Sequence, residues 1–318
     1  MSTEPRTLTE AIKHFADPDA ALATMVELRW PDGVVCPTCG RRDARFIATR
    51  RIWECRGEHP KRQFSAKLGT IFEDSPLGLD KWFAATWMIA NCKNGVSSYE
   101  IHRAIGVTQK SAWFMLHRIR LAMETGSFLK RAPGDTEADE TFIGGLAKNM
   151  HKGRRKKVVT GTGGAGKEVV MGVLRRSTVM EPSKVTAKHV RDTSRETLHA
   201  EVRAAVAPGA RLFTDSHAAY RGLDTDYLHE TVDHAVEYVR GAIHTNGMEN
   251  FWALFKRAIK GTYISIGPFH LNSYVVEETF RFNEREDNDG GRFRKVLGSV
   301  TGKRVTYQEL TGHGAEAT

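Results

Sequence analysis

Four residues near the start of the chain, Cys36, Cys39, Cys55 and His59, restrict its fold more than any other feature. They follow the spacing C-x2-C-x15-C-x3-H, opened by Cys36-Pro37-Thr38-Cys39-Gly40. Two thiolates on a tight knuckle and a second pair on a facing hairpin supply the tetrahedral donors of a structural zinc ion. Between the pairs, Arg45–Ala48 and Arg51–Glu54 read as short strands, so residues 29–65 are predicted to form a zinc ribbon. A ribbon usually ends in C-x2-C. The fourth ligand is therefore open between His59 and no ligand at all, the alternative being a degenerate ribbon packed around Trp30 and Trp53. The fourth cysteine, Cys92, ends an apolar helix and reads as a core residue.

Composition narrows the class. A chain of 318 residues accommodates two or three domains. Four cysteines in that length argue against a disulfide scaffold and for the cytoplasm. No apolar run reaches the length of a membrane span, and the first residues lack a signal-peptide core. A net charge of +9 favours a polyanionic partner without naming it.

Around the ribbon the expected elements are helical. Residues 1–28 read as two short helices interrupted near Pro18. Residues 66–130 contain a helix from an Asp80 N-cap to about Ala90, then a helix-turn-helix. Its first helix starts at Ser97 or Ser98 and stops at Gly106, and Thr108 caps the second, Gln109 to Met123. A recognition helix would present Gln109, Lys110 and Ser111 to the bases; a plain helical hairpin is the alternative. After a linker at Phe128–Gly134 the pattern alternates between strands and helices. Residues 134–285 are predicted to be a mixed α/β domain with strands near 137–145, 169–174, 185–190, 210–215 and 231–234, a helix from Thr193 or Ser194 to about Val206, and helices from His244 and Leu271. Residues 286–318, Gly-rich and polar, read as a flexible tail with a short helix near Tyr307–Leu310.

Three acids stand on the elements of this domain. Asp139 lies on its first strand, Asp215 ends its fourth, and Glu249 opens the helix after the fifth. Three converging carboxylates repel one another unless cations join them, and two Mg²⁺ (or Mn²⁺) ions are the usual solution in phosphodiester chemistry. Glu140 and Asp233 compete for the same assignment. In the helix, Phe251, Leu254, Phe255 and Ala258 make the apolar stripe, and Glu249 and Lys256, two turns apart, share another face. Leu146–Lys167 holds seven cations, among them Arg154, Arg155, Lys156 and Lys157, and no acid. It reads as a basic loop able to contact phosphates. Within it Gly161–Lys167 imitates a phosphate-binding loop, but Glu168 stands where that motif needs Ser or Thr.

Several motifs taken together resemble one family. They are Arg29-Trp30-Pro31-Asp32-Gly33 before Cys36, Phe64-Ser65, Gly69-Thr70-Ile71-Phe72, Asp139-Glu140-Thr141-Phe142-Ile143-Gly144-Gly145, Thr214-Asp215, and His244-Thr245-Asn246-Gly247-Met248-Glu249-Asn250-Phe251-Trp252. This set, spread over residues 20–285, is similar to the bacterial insertion-sequence transposases with a zinc ribbon and a DDE domain, the ISXO-two-like group. The resemblance implies a ribonuclease-H-like fold with strands one and four adjacent. It implies Asp139, Asp215 and Glu249 as metal ligands, and Lys256, seven residues after the third acid, as a contact to substrate phosphate. The expected activity is metal-dependent cleavage at element ends and strand transfer into target DNA. The expected partners are terminal inverted repeats, target DNA and a second copy of the chain in a nucleoid-associated synaptic complex. The rivals are a non-catalytic DNA-binding regulator and a structure-selective nuclease. Two departures stand out: His59 where the family's ribbon ends in cysteine, and Ile264 after Gly261-Thr262-Tyr263, where the family often has histidine.

Overall fold

The structure, a computed structural model, describes residues 4–125, 131–144, 166–232 and 244–312. The chain divides into two compact units, one of residues 1–125 with 286–318, the other of residues 126–285. In the first unit, α1 (Leu8–Phe15) and α2 (Pro18–Arg29) are separated by Asp17, whose side chain caps α2 while Pro18 takes its first turn. Proline fits there because the missing N–H would have had no partner in the helix. The ribbon that follows has three strands where the sequence indicated two: β1 (Arg45–Ile47), β2 (Ile52–Glu54) and β3 (Gln63–Phe64). Trp53 on the middle strand pairs with Phe46 on one side and Phe64 on the other. Trp30 meets it edge-on at 5.6 Å, giving this small sheet an aromatic core.

Three helices complete the run. α3 (Leu79–Asn91) buries Trp82, Phe83 and Trp87. Its N-cap is Gly78, two residues before the Asp80 cap that the sequence indicated, and Asp80 sits in the first turn instead. α4 (Ser98–Ile105) starts with a reciprocal Ser97–Glu100 capping box and ends at Gly106. The φ of +63° at Gly106 is a left-handed conformation that costs glycine nothing. α5 (Gln109–Met123) is capped by Thr108, so the predicted helix-turn-helix boundaries hold.

The second unit is built on β4 (Thr136–Ile143), β5 (Glu168–Arg175), β6 (Lys184–Val190), α6 (Arg195–Ala205), β7 (Arg211–Asp215), β8 (Leu228–Val232), α7 (Asn246–Ala258) and α8 (Leu271–Asn283). The sheet order is β6-β5-β4-β7-β8. β5 runs antiparallel to both β4 and β6, and β7 and β8 run parallel to β4. This is the ribonuclease-H-like mixed five-stranded sheet, with strands one and four adjacent through Thr136–Leu212 and Glu137–Phe213. Short 3-10 turns at Ala218–Tyr220 and Leu223–Thr225 stand between β7 and β8. β8 starts earlier than the sequence indicated, and Asp233 lies outside the described residues.

The alternation of β5 sorts the two faces. Val169, Met171 and Val173 join Leu198 and Val202 of α6 in one core, and Val170 and Leu174 join Met248, Phe251, Trp252, Phe255 and Val275 in the other. Gly172 marks a close approach of α7 to the sheet. A Cβ there would stand 2.4 Å from Met248 Cε and 2.9 Å from the Trp252 ring.

The flexible tail predicted from residue 286 is corrected over the described residues. α9 (Asp289–Gly298) starts at an Asn288 cap and buries Phe293, Val296 and Leu297, and α10 (Tyr307–Thr311) follows. Phe293 packs against Phe15, Phe83 and Trp87 at ring separations of 5.5, 5.7 and 5.2 Å. Replacing Phe293 by Ala is expected to destabilise the first unit by about 3–5 kcal/mol, read as an earlier denaturant midpoint. A midpoint equal to that of the unaltered chain would show that α9 adds nothing to that core. Among the described residues no helix is long and apolar enough to cross a membrane.

Candidate functional site

Strand β4 carries the first acid, and its alternation decides what each neighbour faces. Glu137 and Asp139 point to the α7 side: Met248 N–H donates to Glu137 Oε2, and Trp252 Nε1–H donates to Asp139 Oδ2, both at 2.9 Å. Ala138 and Glu140 point the other way, Ala138 into the α6 core and Glu140 to the Tyr220 hydroxyl, which donates to its Oε2 at 2.5 Å. Asp139 therefore belongs to the helix-covered face, opposite Gly172 of β5, whose missing side chain leaves room for Met248 and Trp252.

Asp215 is the last residue of β7, and its Oδ1 accepts from the His217 N–H at 3.0 Å. Burial, then the charges of Glu140 and Asp215, push the Asp139 carboxyl up to about 7, with the Trp252 N–H opposing. Burial also raises the Glu140 carboxyl; the Tyr220 hydroxyl opposes this and Asp215 adds to it. Asp139, Glu140 and Asp215 are thus one electrostatic group, held at a cost in repulsion that a cation would remove.

Glu249 opens α7 and is exposed to solvent. One helical face carries Glu249, Trp252 and Lys256, at i, i+3 and i+7. Two of these three act directly on Asp139: Trp252 by its hydrogen bond, and Lys256 by its charge. Burial, with the neighbouring Lys260 and Lys167, lowers the Lys256 ammonium below the ordinary lysine value, while Asp139 opposes. The sequence pointed to Glu249 and Lys256 but not to Trp252 between them, although the spacing that joined the first two also includes it. It missed Tyr220 as well, five residues after Asp215. The three acid side chains do not close into a set with all ligand atoms within 4.8 Å, as the ribbon residues do.

In the ribbon, Cys36, Cys39, Cys55 and His59 bring their ligand atoms within 4.8 Å of one another. Cys36 Sγ lies 3.4 Å from His59 Nε2, and Cys39 Sγ lies 3.4 Å from Cys55 Sγ. His59 Nδ1 meets the Pro60 carbonyl at 2.9 Å, which leaves Nε2 for the metal. The Gly57 N–H donates to Cys55 Sγ at 3.2 Å, and a Cβ on Gly57 would press on Cys39 Sγ and Cys55 Sγ at 3.2 and 3.3 Å. Loss of solvation works against the Cys36 thiolate. The backbone N–H groups of Cys39 and Thr38 and the neighbouring thiols outweigh that and bring the thiol down to about 6. The donor set, the spacing and the lowered thiol all fit a tetrahedral zinc ion.

The predicted base-reading residues of α5 are each engaged within the first unit. Gln109 Nε2 donates to Ser98 Oγ at 2.9 Å, Lys110 Nζ sits 4.6 Å from the Tyr307 ring centre, and the Ser111 N–H serves the Thr108 cap at 3.0 Å. His117, Arg118 and Arg120, further along α5, are buried rather than presented. Arg118 donates to the carbonyls of Ile71, Glu73 and Val305. Of α5, the first turn is the part left exposed, at Lys110. Arg154, Arg155, Lys156 and Lys157 lie outside the described residues. Lys167 is described, and Glu168 after it begins a strand, so the glycine-rich run lacks the helix that a phosphate-binding loop must enter.

A ribonuclease-H-like sheet with acids on its first and fourth strands and on a covering helix, in a chain that also carries a zinc ribbon, defines a class of nucleic-acid-processing proteins. Residues 131–283 match the ISXO2-like transposase domain, and residues 16–57 match the transposase zinc-ribbon domain. The chain belongs to this family of insertion-sequence transposases. It is also 26% identical, over 258 residues, to a protein of the transposable element ISH50 of Halobacterium salinarum, covering 77% of this chain and 84% of that protein.

Proposed function

We propose that the protein is a DDE-type DNA transposase that cuts at the ends of its element and joins the freed ends to target DNA. The observation that carries this reading is the position of Asp139, beside Asp215 and beneath the α7 face that bears Glu249, Trp252 and Lys256. Divalent cations held by Asp139, Asp215 and Glu249 would supply an activated water for hydrolysis and charge stabilisation for the leaving oxygen. The chain's own residues do the rest. Trp252 holds one Asp139 oxygen and so orients the other. Lys256, Lys260 and Lys167 form a cationic rim suited to the phosphates flanking the scissile bond.

In the first step a water oxygen attacks the phosphorus and the 3′ oxygen leaves, giving a 3′-hydroxyl on the element and a 5′-phosphate on the flank. In the second, that hydroxyl attacks a target phosphodiester and displaces its 3′ oxygen. The ribbon, its zinc held by Cys36, Cys39, Cys55 and His59, and the first turn of α5 would recognise the terminal inverted repeats. Two copies of the chain would hold the two ends together, in the cytoplasm at the nucleoid.

The test is a strand-transfer assay with labelled end-sequence DNA, target DNA and Mg²⁺. The expected result is joined product from the unaltered chain and none from Asp215→Asn or in the presence of a chelator. Cutting without joining would instead identify a structure-selective nuclease, and binding without cutting a DNA-binding regulator.

A further inference from the structure

Beneath the first turn of α7 lies a second carboxylate that the acid site does not use. Glu137 is 1% exposed, two residues before Asp139 and on the same face of β4. Its Oε1 accepts from Arg176 Nε at 2.8 Å and lies 3.4 Å from His244 Nδ1. Its Oε2 accepts from the Met248 N–H at 2.9 Å. Arg176 follows the last residue of β5. Its Nη2 donates to the His244 carbonyl at 2.5 Å, and its guanidinium lies 4.0 Å from the Phe213 ring centre. One carboxylate therefore joins β4, the end of β5, the residue that leads into α7, and the first turn of α7.

Gly247 completes the fit. A Cβ there would stand 2.8 Å from Glu137 Oε2 and 3.0 and 3.1 Å from the Leu174 methyl groups. Helices α1, α4, α5 and α6 are capped by their own Ser or Thr side chains. In α7 an N–H of the first turn is taken by a neighbouring strand instead. That bond fixes the helix relative to the sheet, which a cap within the helix cannot do. An anion also suits the positive end of the helix dipole.

We propose that Glu137 is a positioning residue: it fixes the start of α7 against β4 and thereby sets Glu249 and Lys256 over Asp139. This inference rests on the transposase reading above. The residue whose N–H Glu137 holds immediately precedes Glu249, so a shift in that turn moves the third acid directly. Both Glu137 oxygens are committed to protein donors, which separates its role from that of a metal ligand. The competing account makes Glu137 only a counter-ion for Arg176, and the two accounts predict different results.

The experiment measures, on the full-length zinc-loaded chain, the Mg²⁺ concentration that gives half-maximal end cleavage, together with the melting temperature. Glu137→Met alone leaves Arg176 without that carboxylate and is expected to lower the melting temperature. The double variant Glu137→Met with Arg176→Met removes both charges and is expected to recover it. Under the positioning role the double variant still needs about tenfold more Mg²⁺, a size typical of losing a residue that orients a ligand. Gly247→Ala, which keeps the ion pair but presses on Glu137 Oε2, is expected to shift the Mg²⁺ requirement the same way. A double variant that recovers both melting temperature and Mg²⁺ requirement overturns the proposal. Asp139→Asn serves as the control: if it cleaves like the unaltered chain, the transposase reading fails and this inference with it. If it is inactive while the double variant has the normal Mg²⁺ requirement, only the inference fails.

Discussion

Asp139→Asn is expected to abolish end cleavage, by roughly 1,000-fold or more, and at the same time to raise the melting temperature of the metal-free chain. Both effects come from one carboxyl. Burial and the charges of Glu140 and Asp215 hold it at about 7 in the folded chain, against 3.8 as the ordinary value. A carboxyl raised on folding contributes most favourably at low pH, where it is neutral in both states, and loses that contribution as pH rises through its folded value. The penalty grows between about pH 4 and 7 and is constant above; at neutral pH it is on the order of 2–4 kcal/mol. Asparagine carries no charge at any pH, so the variant escapes that penalty. Its stability gain over the unaltered chain should be small near pH 4.5 and largest above pH 7. Mg²⁺ or Mn²⁺ should close the gap by stabilising the unaltered chain alone. The measurement is a pair of melting series across pH, with divalent cation and with chelator. A variant that melts no higher than the unaltered chain at pH 8 in chelator would show that Asp139 bears no charge strain.

The contrast between Asp139 and its neighbours shows what the sequence made legible. Elements with strong local signals were readable: the start at Ser97 or Ser98, the Gly106 stop, the Thr108 cap, and the order of strands and helices in the second unit. Each is set by residues close in the chain, through capping or periodicity. Asp215, an acid at the end of a short apolar strand, had a weak local signal, and Asp139 and Glu249 were named through the family resemblance of the motifs around them. The residues that hold those acids could not be named. Glu137 and Met248 are 111 positions apart, Glu140 and Tyr220 are 80 apart, and Asp139 and Trp252 are 113 apart. Nothing local distinguishes Glu137 from Glu140 as a structural or a catalytic acid, and only the pleat of β4 against α7 separates them. The same limit hid α9. Its first turn, Asp289-Gly290-Gly291, has the composition of a loop, and its helix is anchored by Phe293 meeting aromatic rings of α1 and α3. Lys110 is the converse case. Its place at the start of the second helix of the helix-turn-helix was readable, but its ring partner Tyr307 lies in a segment that the composition marked as tail.

Cys55→Ser is expected to have the second large effect: loss of bound zinc and, with it, loss of specific binding to the element ends. The ribbon has little else to hold it. Its strands are three, three and two residues long, well short of what a sheet needs for independent stability. Apparent zinc-binding energies of about 10–16 kcal/mol are folding energy in domains of this kind. Cys55 is buried at the junction of β2 and the ligand loop, where its N–H donates to the Arg62 carbonyl and its Sγ accepts from Gly57. A hydroxyl there is a poor zinc ligand and too short to restore the tetrahedron. The aromatic contacts of Trp53 with Trp30, Phe46 and Phe64 would remain available, but they rest on register set by the metal loop. Acid should have a related effect. The Cys36 thiol lies at about 6, against 9.0 as its ordinary value, so the stability it contributes is full above pH 9 and is lost as pH falls from there through about 6. Zinc content by elemental analysis and end binding by fluorescence anisotropy should therefore fall together, in the variant at pH 7.5 and in the unaltered chain below about pH 6. The second unit contains none of these ligands, and its Asp139-dependent Mg²⁺ stabilisation should persist in the variant. Retention of zinc and of end binding by Cys55→Ser would remove Cys55 from the ligand set and leave the ribbon held by its aromatic core.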